Sequence, residues 1–153
     1  MSISNLQQTY TIKEAAALTG LPASTLRYYE SIGVIAPVNR GESSKHRMYT
    51  EQDLDQVLGV ACLAAVGMPI SDMRRYVENS QSGSSGAADQ VALLMSQKNR
   101  LATEVEFLKL RQRYVDLKIS YWQAVEAGNA ERVDQLLTRG RLLADELKRS
   151  KPQ

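Results

Sequence analysis

The sequence predicts a mainly α-helical protein, with short helices near the N-terminus and one long helix in the C-terminal half. Two brief amphipathic segments separated by a glycine occupy residues 12–33, and an apolar heptad pattern runs without proline or glycine through residues 91–122. Between them, residues 34–49 combine a proline, a glycine and paired serines with β-tolerant ends, which is typical of a small hairpin.

Composition fits a folded chain and excludes several classes of protein. The 153 residues are 43% hydrophobic and 24% charged, as in ordinary globular proteins. The longest apolar stretch, residues 60–70, is too short to cross a bilayer, which takes about 20 residues. The first ten residues lack a basic start and an apolar core, so we expect no signal peptide and a cytoplasmic protein.

The inventory of reactive side chains is equally restrictive. A single cysteine excludes an internal disulfide and any multi-cysteine zinc or iron–sulfur site within one chain. With one histidine and no carboxylate pair or phosphate-binding loop in a suitable setting, no catalytic constellation can be assembled. We therefore expect no enzyme activity, no metal and no cofactor.

The net charge of +2 does not by itself indicate nucleic-acid binding. Residues 1–79 carry seven Lys/Arg against eight Asp/Glu, and residues 80–153 carry twelve against nine. A local cluster is more informative, because residues 40–47 (RGESSKHR) hold three cations, one carboxylate and His46.

The N-terminal helices follow from their capping residues. Thr11 is the predicted N-cap of the first helix, with Glu14 as its capping-box partner, and Gly20 ends it. A second helix is predicted over residues 24–33 (STLRYYESIG). Two short helices joined by a glycine-containing turn form a helix-turn-helix pattern.

Two further helices are predicted before residue 79. Thr50 and Asp53 cap the third helix, and Gly67 ends it. The predicted apolar face of the third helix consists of Leu54, Val57, Leu58, Ala61, Cys62 and Ala65. A shorter helix, with Ser71 as its cap, follows over residues 70–78. Its expected buried residues are Met73, Tyr76 and Val77.

The second half of the chain predicts a flexible linker followed by a rod. The Ser/Gly-rich residues 79–89 have the composition of a flexible linker. Beyond them, apolar residues recur at alternating steps of three and four, which is a coiled-coil seam of more than four heptads. The seam consists of Val91, Leu94, Leu101, Val105, Leu108, Val115, Ile119 and Trp122, with Lys98 and Gln112 as its polar positions. Such a stripe needs a partner helix, so we expect a homodimer. A shorter helix at residues 130–149, containing Gly140, is expected to cover one end.

Several motifs within residues 10–77 resemble the MerR family of bacterial transcription regulators. They are YTIKEAAALTGLPASTLRYYESIGVIAP, the Arg-x-Tyr at 47–49, EQDL at 51–54, and GMPI. The most specific is RYYE at 27–30, because it falls in the second helix of the helix-turn-helix. The long helix resembles the family's dimerisation region by position and periodicity only.

The resemblance implies a winged helix-turn-helix DNA-binding domain, a long dimerising coiled-coil helix and a short C-terminal helix. The predicted domains are residues 1–79 for DNA binding, 80–88 as linker, 89–127 as dimerisation helix and 128–153 as C-terminal helix and tail. It also implies a dimer that binds an inverted repeat of double-stranded promoter DNA and works with RNA polymerase, activating transcription by distorting the promoter spacer. The inducer, a small molecule, is not identified.

The second helix and the wing carry the predicted DNA contacts. These residues are Ser24, Thr25, Arg27, Tyr28, Tyr29, Arg40, Lys45, His46, Arg47 and Tyr49. In the major groove Arg27 can bond a guanine edge or a phosphate. Tyr28 and Tyr29 point in different directions, so we expect one to pack and the other to face DNA. Tyr49 contacts DNA or, as the favoured alternative, pins the wing on the next helix. The family usually has Gly and Tyr where this chain has Lys45 and His46.

Cys62 has two interpretations. The segment CLAAVGMPI resembles the CLxxxGMP segment of a single-cysteine branch that responds to aldehydes or nitrosative stress, which makes Cys62 a candidate sensor. The alternative is a buried cysteine packed with Leu58 and Ala65. Metal-sensing members of the family use further cysteines in regions that have none here.

Two other hypotheses remain at this point. A ligand pocket between Tyr114, Tyr121, Trp122 and the last helix is possible, although an aromatic stripe at helical spacing more often packs. The same coiled coil also suits an architectural or interaction protein that binds DNA without activating a promoter.

Overall fold

The structure is a computed structural model that describes residues 8–150. Within this range the chain is mainly helical, as predicted. Its elements are β1 (Thr9–Tyr10), α1 (Ile12–Thr19), α2 (Ala23–Ser31), β2 (Tyr49–Thr50), α3 (Glu51–Ala65), α4 (Ile70–Gln81), a 3-10 turn (Gly83–Gly86), α5 (Ala87–Glu126) and α6 (Ala130–Arg149). The chain forms two compact units, one up to residue 94 and one from residue 95 onward. None of the helices described here is both long enough and apolar enough to cross a membrane.

Helices α1 and α3 begin at the predicted capping boxes. Thr11 Oγ1 accepts the N–H of Glu14 at 3.2 Å, and the Glu14 carboxylate accepts the N–H of Thr11 at 3.2 Å. Thr50 and Asp53 repeat this arrangement at 3.1 and 3.0 Å. Gly20 ends α1 at φ 74°, a conformation that favours glycine. These local signals therefore position both helices as expected.

A two-stranded sheet joins the beginning of the first unit to α3. Strands β1 and β2 are antiparallel, with Tyr10 opposite Tyr49. The Tyr10 hydroxyl donates a hydrogen bond to the Glu51 carboxylate, and this bond is the main reason that the pKa of Tyr10 is raised. The buried core beneath the sheet and α1–α4 consists of Ala15, Leu26, Tyr29, Val34, Ile35, Val38, Tyr49, Leu54, Val57, Val60, Leu63, Met68, Met73 and Val77.

The buried face of α3 is rotated relative to the prediction. Val60 and Leu63 lie in the core, although neither was assigned to the apolar face. Leu58, Cys62 and Ala65, which were assigned to it, lie on the exposed side of the helix. Apolar residues occur on more than one face of α3, so periodicity did not identify the face that packs against α1 and α4. The expectation of a buried Cys62 is therefore wrong.

Residues 79–89 are not a flexible linker but an ordered connection. Helix α4 and a single 3-10 turn lead directly into α5. Gly86 is buried, and a Cβ atom at this position would lie 2.3 Å from the carbonyl oxygen of Asn79. The Gln90 side chain donates to the Tyr76 carbonyl oxygen at 2.8 Å and accepts from Asn79 Nδ2 at 3.3 Å. Glycine here permits close packing of the backbone, which composition alone does not distinguish from flexibility.

In the second unit, α6 packs antiparallel against α5. Gly128, at φ 69°, lies in the turn between them, and Arg113 forms an ion pair with Glu146 at 3.5 Å. Among its described residues, the buried apolar side chains of this unit are Leu110, Ala124 and Leu136. A Cβ atom at Gly140 would lie 3.4 Å from Leu117, so this glycine lies at a tight helix contact.

Candidate nucleic-acid interface

Helix α2 separates its residues into a buried face and an exposed face. Leu26 is fully buried and Tyr29 is 8% exposed, whereas Tyr28 is 50% exposed. Ser24 and Arg27 are exposed as well. One tyrosine of the pair therefore packs and the other faces outward, as expected, and Tyr29 belongs to the core rather than to the outward face. The helix begins at Ala23 after Pro22, one residue earlier than predicted.

Within the hairpin predicted over residues 34–49, residues 38–48 form the paired limbs and the tip, which we call the wing. Its two limbs are joined by the N–H of Gly41 to the carbonyl of His46 at 2.9 Å and by the N–H of Met48 to the carbonyl of Asn39 at 2.7 Å. At its tip Lys45 has φ 57°, in the left-handed region that favours glycine. This is one of the two positions at which the sequence departs from the family pattern, and the lysine adopts the conformation that a glycine would take at lower cost.

Glu30 joins the wing to α2. Its carboxylate accepts the N–H of Val38 at 3.0 Å and Nε of Arg47 at 3.3 Å. The Glu30 and Arg47 side chains are only 17% and 20% exposed. Because Val38 is on one limb and Arg47 on the other, a single carboxylate holds both limbs against the helix. The sequence analysis quoted Glu30 only as the last residue of RYYE and did not identify its contact with the wing.

A cationic pocket of about 280 Å³ lies between α1, α2 and the wing. Its polar lining consists of Thr11, Lys13, Arg27, Arg40, His46 and Arg47. Four predicted DNA-contact residues thus lie together, and the structure adds Thr11 and Lys13 from the beginning of α1. Among the residues that the structure describes, no carboxylate lines this pocket. The sequence analysis missed Lys13 because it is distant in sequence from the wing.

Tyr49 is not available to DNA. The side chain is fully buried, and within residues 8–150 its hydroxyl makes no hydrogen bond. Burial raises the pKa of Tyr49, an effect that Arg47 opposes and Glu30 reinforces. The expected DNA contact is therefore wrong, and the residue serves the favoured alternative of packing the wing and β2 against the core.

The predicted seam of α5 is exposed along its whole length. Its eight apolar side chains are between 38% and 63% exposed. Helix α6 covers a different face, the one that carries Leu110 and Ala124. Trp122, at 63% exposure, does not line the cavity between α5 and α6, and that cavity measures about 190 Å³, below the roughly 300 Å³ of ordinary ligand sites. Tyr114 and Trp122 instead line a separate open groove of about 440 Å³ on α5, away from α6.

Cys62 is an exposed thiol on the outer side of α3. Leu58, one turn before it, is 43% exposed, and Val66, one turn after it, is 45% exposed. The thiol therefore lies on an apolar surface rather than in the core. In the part of the chain that the structure describes, no three His, Cys, Asp or Glu side chains are grouped to hold a metal ion.

Comparisons with known proteins agree on the family. A family model described as MerR HTH family regulatory protein matches residues 10–80. An uncharacterised HTH-type transcriptional regulator from Haemophilus influenzae is 31% identical over 122 residues, which is 78% of this chain and 87% of that protein. The crystal structure of HiNmlR, a MerR family regulator lacking the sensor domain and bound to promoter DNA, has a TM-score of 0.58 at 28% identity, covering 78% of this chain and 94% of that one.

A solved MerR family transcriptional regulator from Listeria monocytogenes has a TM-score of 0.63 at 26% identity, covering 85% of this chain and 98% of that one. These relatives are regulators and not enzymes, in agreement with the sequence analysis. One assignment follows from the helix-turn-helix with its wing, from the long helix, and from the similarity to these proteins over most of the chain. The chain belongs to the MerR family of DNA-binding, helix-turn-helix transcription regulators.

Proposed function

We propose that the protein is a homodimer that binds an inverted-repeat operator in a promoter spacer and activates transcription by distorting the DNA. The observation that carries the proposal is the exposed seam of α5, whose eight apolar side chains are 38–63% exposed. Leaving such a stripe in water is unfavourable, and a second α5 of the same sequence matches its heptad pattern. Two-fold symmetry of the protein then matches two DNA half-sites.

The resemblance to the family favours antiparallel pairing of the two α5 helices. Full overlap then places Val91 against the partner's Trp122 and Val105 against the partner's Leu108. Because the heptad pattern alone does not fix direction, the register is a separate part of the proposal. Residues 1–79 act as the reading head, 80–88 as the connection, 89–127 as the dimerising helix and 128–153 as the C-terminal region.

Disulfide cross-linking tests the direction and the register. In a Cys62→Ser background, which removes the native thiol, Val105→Cys and Leu108→Cys are introduced together. Antiparallel pairing brings the two new thiols of opposite chains together, and we expect a covalent dimer on mild oxidation. The matched control is Val105→Cys alone, which cross-links efficiently only if the helices are parallel. Cross-linking of this control would contradict the antiparallel arrangement.

A seam variant tests whether dimerisation depends on this face. Val105→Lys places a charge in the seam, and we expect a shift from dimer to monomer in sedimentation. Leu142→Lys is the control, because Leu142 on α6 is 68% exposed and lies outside the seam. An unchanged dimer in Val105→Lys would remove the seam from the proposal.

The outward face of α2 supports a major-groove role. Arg27 can bond a guanine edge and Tyr28 can reach the backbone, while the wing cations lie beside the groove. The structure of HiNmlR bound to promoter DNA supports the choice of duplex DNA. Distortion of the spacer by a large smooth bend costs on the order of 1–6 kcal/mol, which the contacts of two heads must offset.

Footprinting and run-off transcription with RNA polymerase test the function. We expect symmetric protection of an inverted repeat and a change of transcript on induction. An architectural protein with the same coiled coil is the second candidate, favoured by protection of a specific site without any change of transcript. Failure of selection from random oligonucleotides to return a symmetric target would overturn the dimeric regulator.

We also propose that Cys62 captures an electrophile. The supporting observation is its exposure on α3, which leaves the thiol open to a small reactant. With an aldehyde, a carbon–sulfur bond forms as the carbonyl oxygen takes up the thiol proton, giving a hemithioacetal. Cys62→Ser should abolish the response to the electrophile while leaving operator binding unchanged. Undiminished induction in this variant would remove the thiol from the mechanism.

A further inference from the structure

We propose that the cationic pocket between α1, α2 and the wing seats one phosphate of the DNA backbone, and that Lys13 is a contact residue for it. The inference rests on the proposed DNA binding and deepens it. It adds an element, the beginning of α1, to a surface otherwise made by the recognition helix and the wing. The ligand is an anion of the phosphodiester class.

The charge of the pocket favours an anionic occupant. Lys13, Arg27, Arg40 and Arg47 line about 280 Å³ together with His46, and of the four cations Arg47 is already paired with Glu30. Like charges that are brought together repel, and the repulsion is relieved when an anion binds among them. In duplex DNA the phosphates are the anionic groups, and each shares one negative charge between two non-bridging oxygens.

The pocket is built before any ligand arrives. The capping box of Thr11 and Glu14 holds the first turn of α1 in place. Arg40 is held by a 3.2 Å hydrogen bond from its guanidinium to the Lys45 carbonyl oxygen. Arg47, which also lines the pocket, is held through Nε by Glu30 at 3.3 Å, and this bond does not use its terminal nitrogens. Preorganised cations lose little side-chain freedom on binding.

Lys13 is the new contact residue in this inference, because it lies on α1 and not on the wing. Within residues 8–150 its ammonium group has no ion-pair partner, and the side chain is exposed at the first turn of α1. The helix N-terminus adds a favourable field for a negative charge. A phosphate held by Lys13 and by Arg40 or Arg47 would connect α1 with the wing, so it would fix the position of the wing once DNA is bound.

Salt dependence gives the first measurement. Full-length wild-type protein, Lys13→Gln and Lys148→Gln are titrated with one operator duplex over a range of salt concentrations. Each lost phosphate contact lowers the slope of log affinity against log salt by about 0.9, so a dimer of Lys13→Gln should lose about 1.8. The loss should be the same on specific and unrelated sequences. The control Lys148→Gln, with the same change of charge on α6, should keep the wild-type slope.

A chemical scan of the DNA locates the phosphate. Operators carrying one neutral methylphosphonate at each position in turn are bound to wild-type and Lys13→Gln protein. With the wild type, neutralising one phosphate per half-site should cost about tenfold in affinity, as expected for a charge-assisted contact. With Lys13→Gln the same replacement should cost clearly less than in the wild type, because only the contacts of the remaining cations are left to lose. Independent, multiplying losses at every position would overturn the inference.

The outcomes of these experiments distinguish a DNA phosphate at Lys13 from a free anion in the pocket and from a protein that binds no DNA. Wild-type protein that binds the operator, together with an unchanged slope in Lys13→Gln, overturns the phosphate seat and leaves the regulator standing. Wild-type protein that binds no duplex overturns the proposed function itself. Inorganic phosphate is titrated at constant ionic strength while the Lys13 side chain is observed by NMR. Saturation at low concentration without any coupling to DNA phosphates would assign the pocket to a free anion and overturn the DNA assignment.

Discussion

Glu30 on α2 and Arg47 on the wing form an ion pair, with 3.3 Å between Oε1 and Nε. The pair is largely shielded from solvent, and the second carboxylate oxygen of Glu30 holds the N–H of Val38 at 3.0 Å. One side chain of α2 therefore links both limbs of the wing to that helix.

Replacing Glu30 should loosen the wing. Glu30→Gln keeps an acceptor for Val38 but loses the charge partner of Arg47, and we expect a loss of about 1 kcal/mol in the free energy of unfolding. Glu30→Ala loses both contacts and should cost about 2 kcal/mol. Denaturant unfolding measures both, with Glu42→Gln on the exposed wing as a control of equal charge change.

Hydroxyl-radical footprinting separates positioning from general stability in these variants. In Glu30→Gln the protection from the wing, at the flank of each half-site, should weaken while protection at the centre persists. Equal weakening at both places would show that Glu30 serves the fold of the head as a whole.

The left-handed backbone of Lys45 predicts opposite effects on stability and on DNA affinity. Lys45→Gly removes a conformational cost of about 1 kcal/mol, so the free energy of unfolding should rise, while loss of the charge should weaken DNA binding. Lys45→Ala loses the same charge but keeps the strained backbone. The two variants should bind DNA about equally and differ in melting temperature. A lower melting temperature for the glycine variant would contradict this explanation.

The buried hydroxyl of Tyr49 should make the protein sensitive to alkali. Because burial raises the pKa of Tyr49 above its usual value near 10, the native state retains a proton that the unfolded chain has lost. Stability from this group is complete below about pH 10 and falls as the pH rises towards the raised pKa. Tyr49→Phe should flatten this decline. It should also preserve or increase stability at pH 7, because it removes an unpaired buried hydroxyl. Urea unfolding at several pH values measures both effects.

Two glycines in helical segments should respond oppositely to alanine. A Cβ atom at Gly59 in α3 has nothing within 4 Å among the described residues, so Gly59→Ala should stabilise by about 0.5–1 kcal/mol through helix propensity. At Gly86 the new Cβ atom would lie 2.3 Å from the Asn79 carbonyl oxygen, and Gly86→Ala should destabilise by about 1–3 kcal/mol. Thermal unfolding of the pair provides its own control, and a neutral Gly86→Ala would mean that the turn relaxes easily.

Local signals predicted much of the fold, because the forces that they report act locally. Thr11, Thr50 and Gly20 mark helix ends through their own hydrogen bonds and dihedral angles. The exposed seam of α5 followed from periodicity over many turns. For the helix ends, the deciding interaction lies within a few residues of the signal.

Packing between residues that are distant in sequence could not be predicted from these local signals. The face of α3 that carries Val60 became buried because of α1 and α4, which its own sequence does not specify. Glu30 contacts the wing, and Lys13 lines a pocket with wing residues, only in the folded chain, so spacing did not predict either role. The Ser/Gly-rich residues 79–89 were wrongly predicted to be flexible. Glycine occurs both in flexible segments and where two backbones pack closely, and composition does not distinguish these two cases.

Because Gly86 packs closely against the backbone of Asn79, the length of the connection formed by residues 83–86 is fixed. A tether accepts added residues, but here a single inserted residue would turn the start of α5 by about 100° and carry Gln90 away from the Tyr76 carbonyl. Both the number and the identity of the residues in this turn are therefore constrained. Variants that change its length should lose activity, whereas many surface substitutions should not.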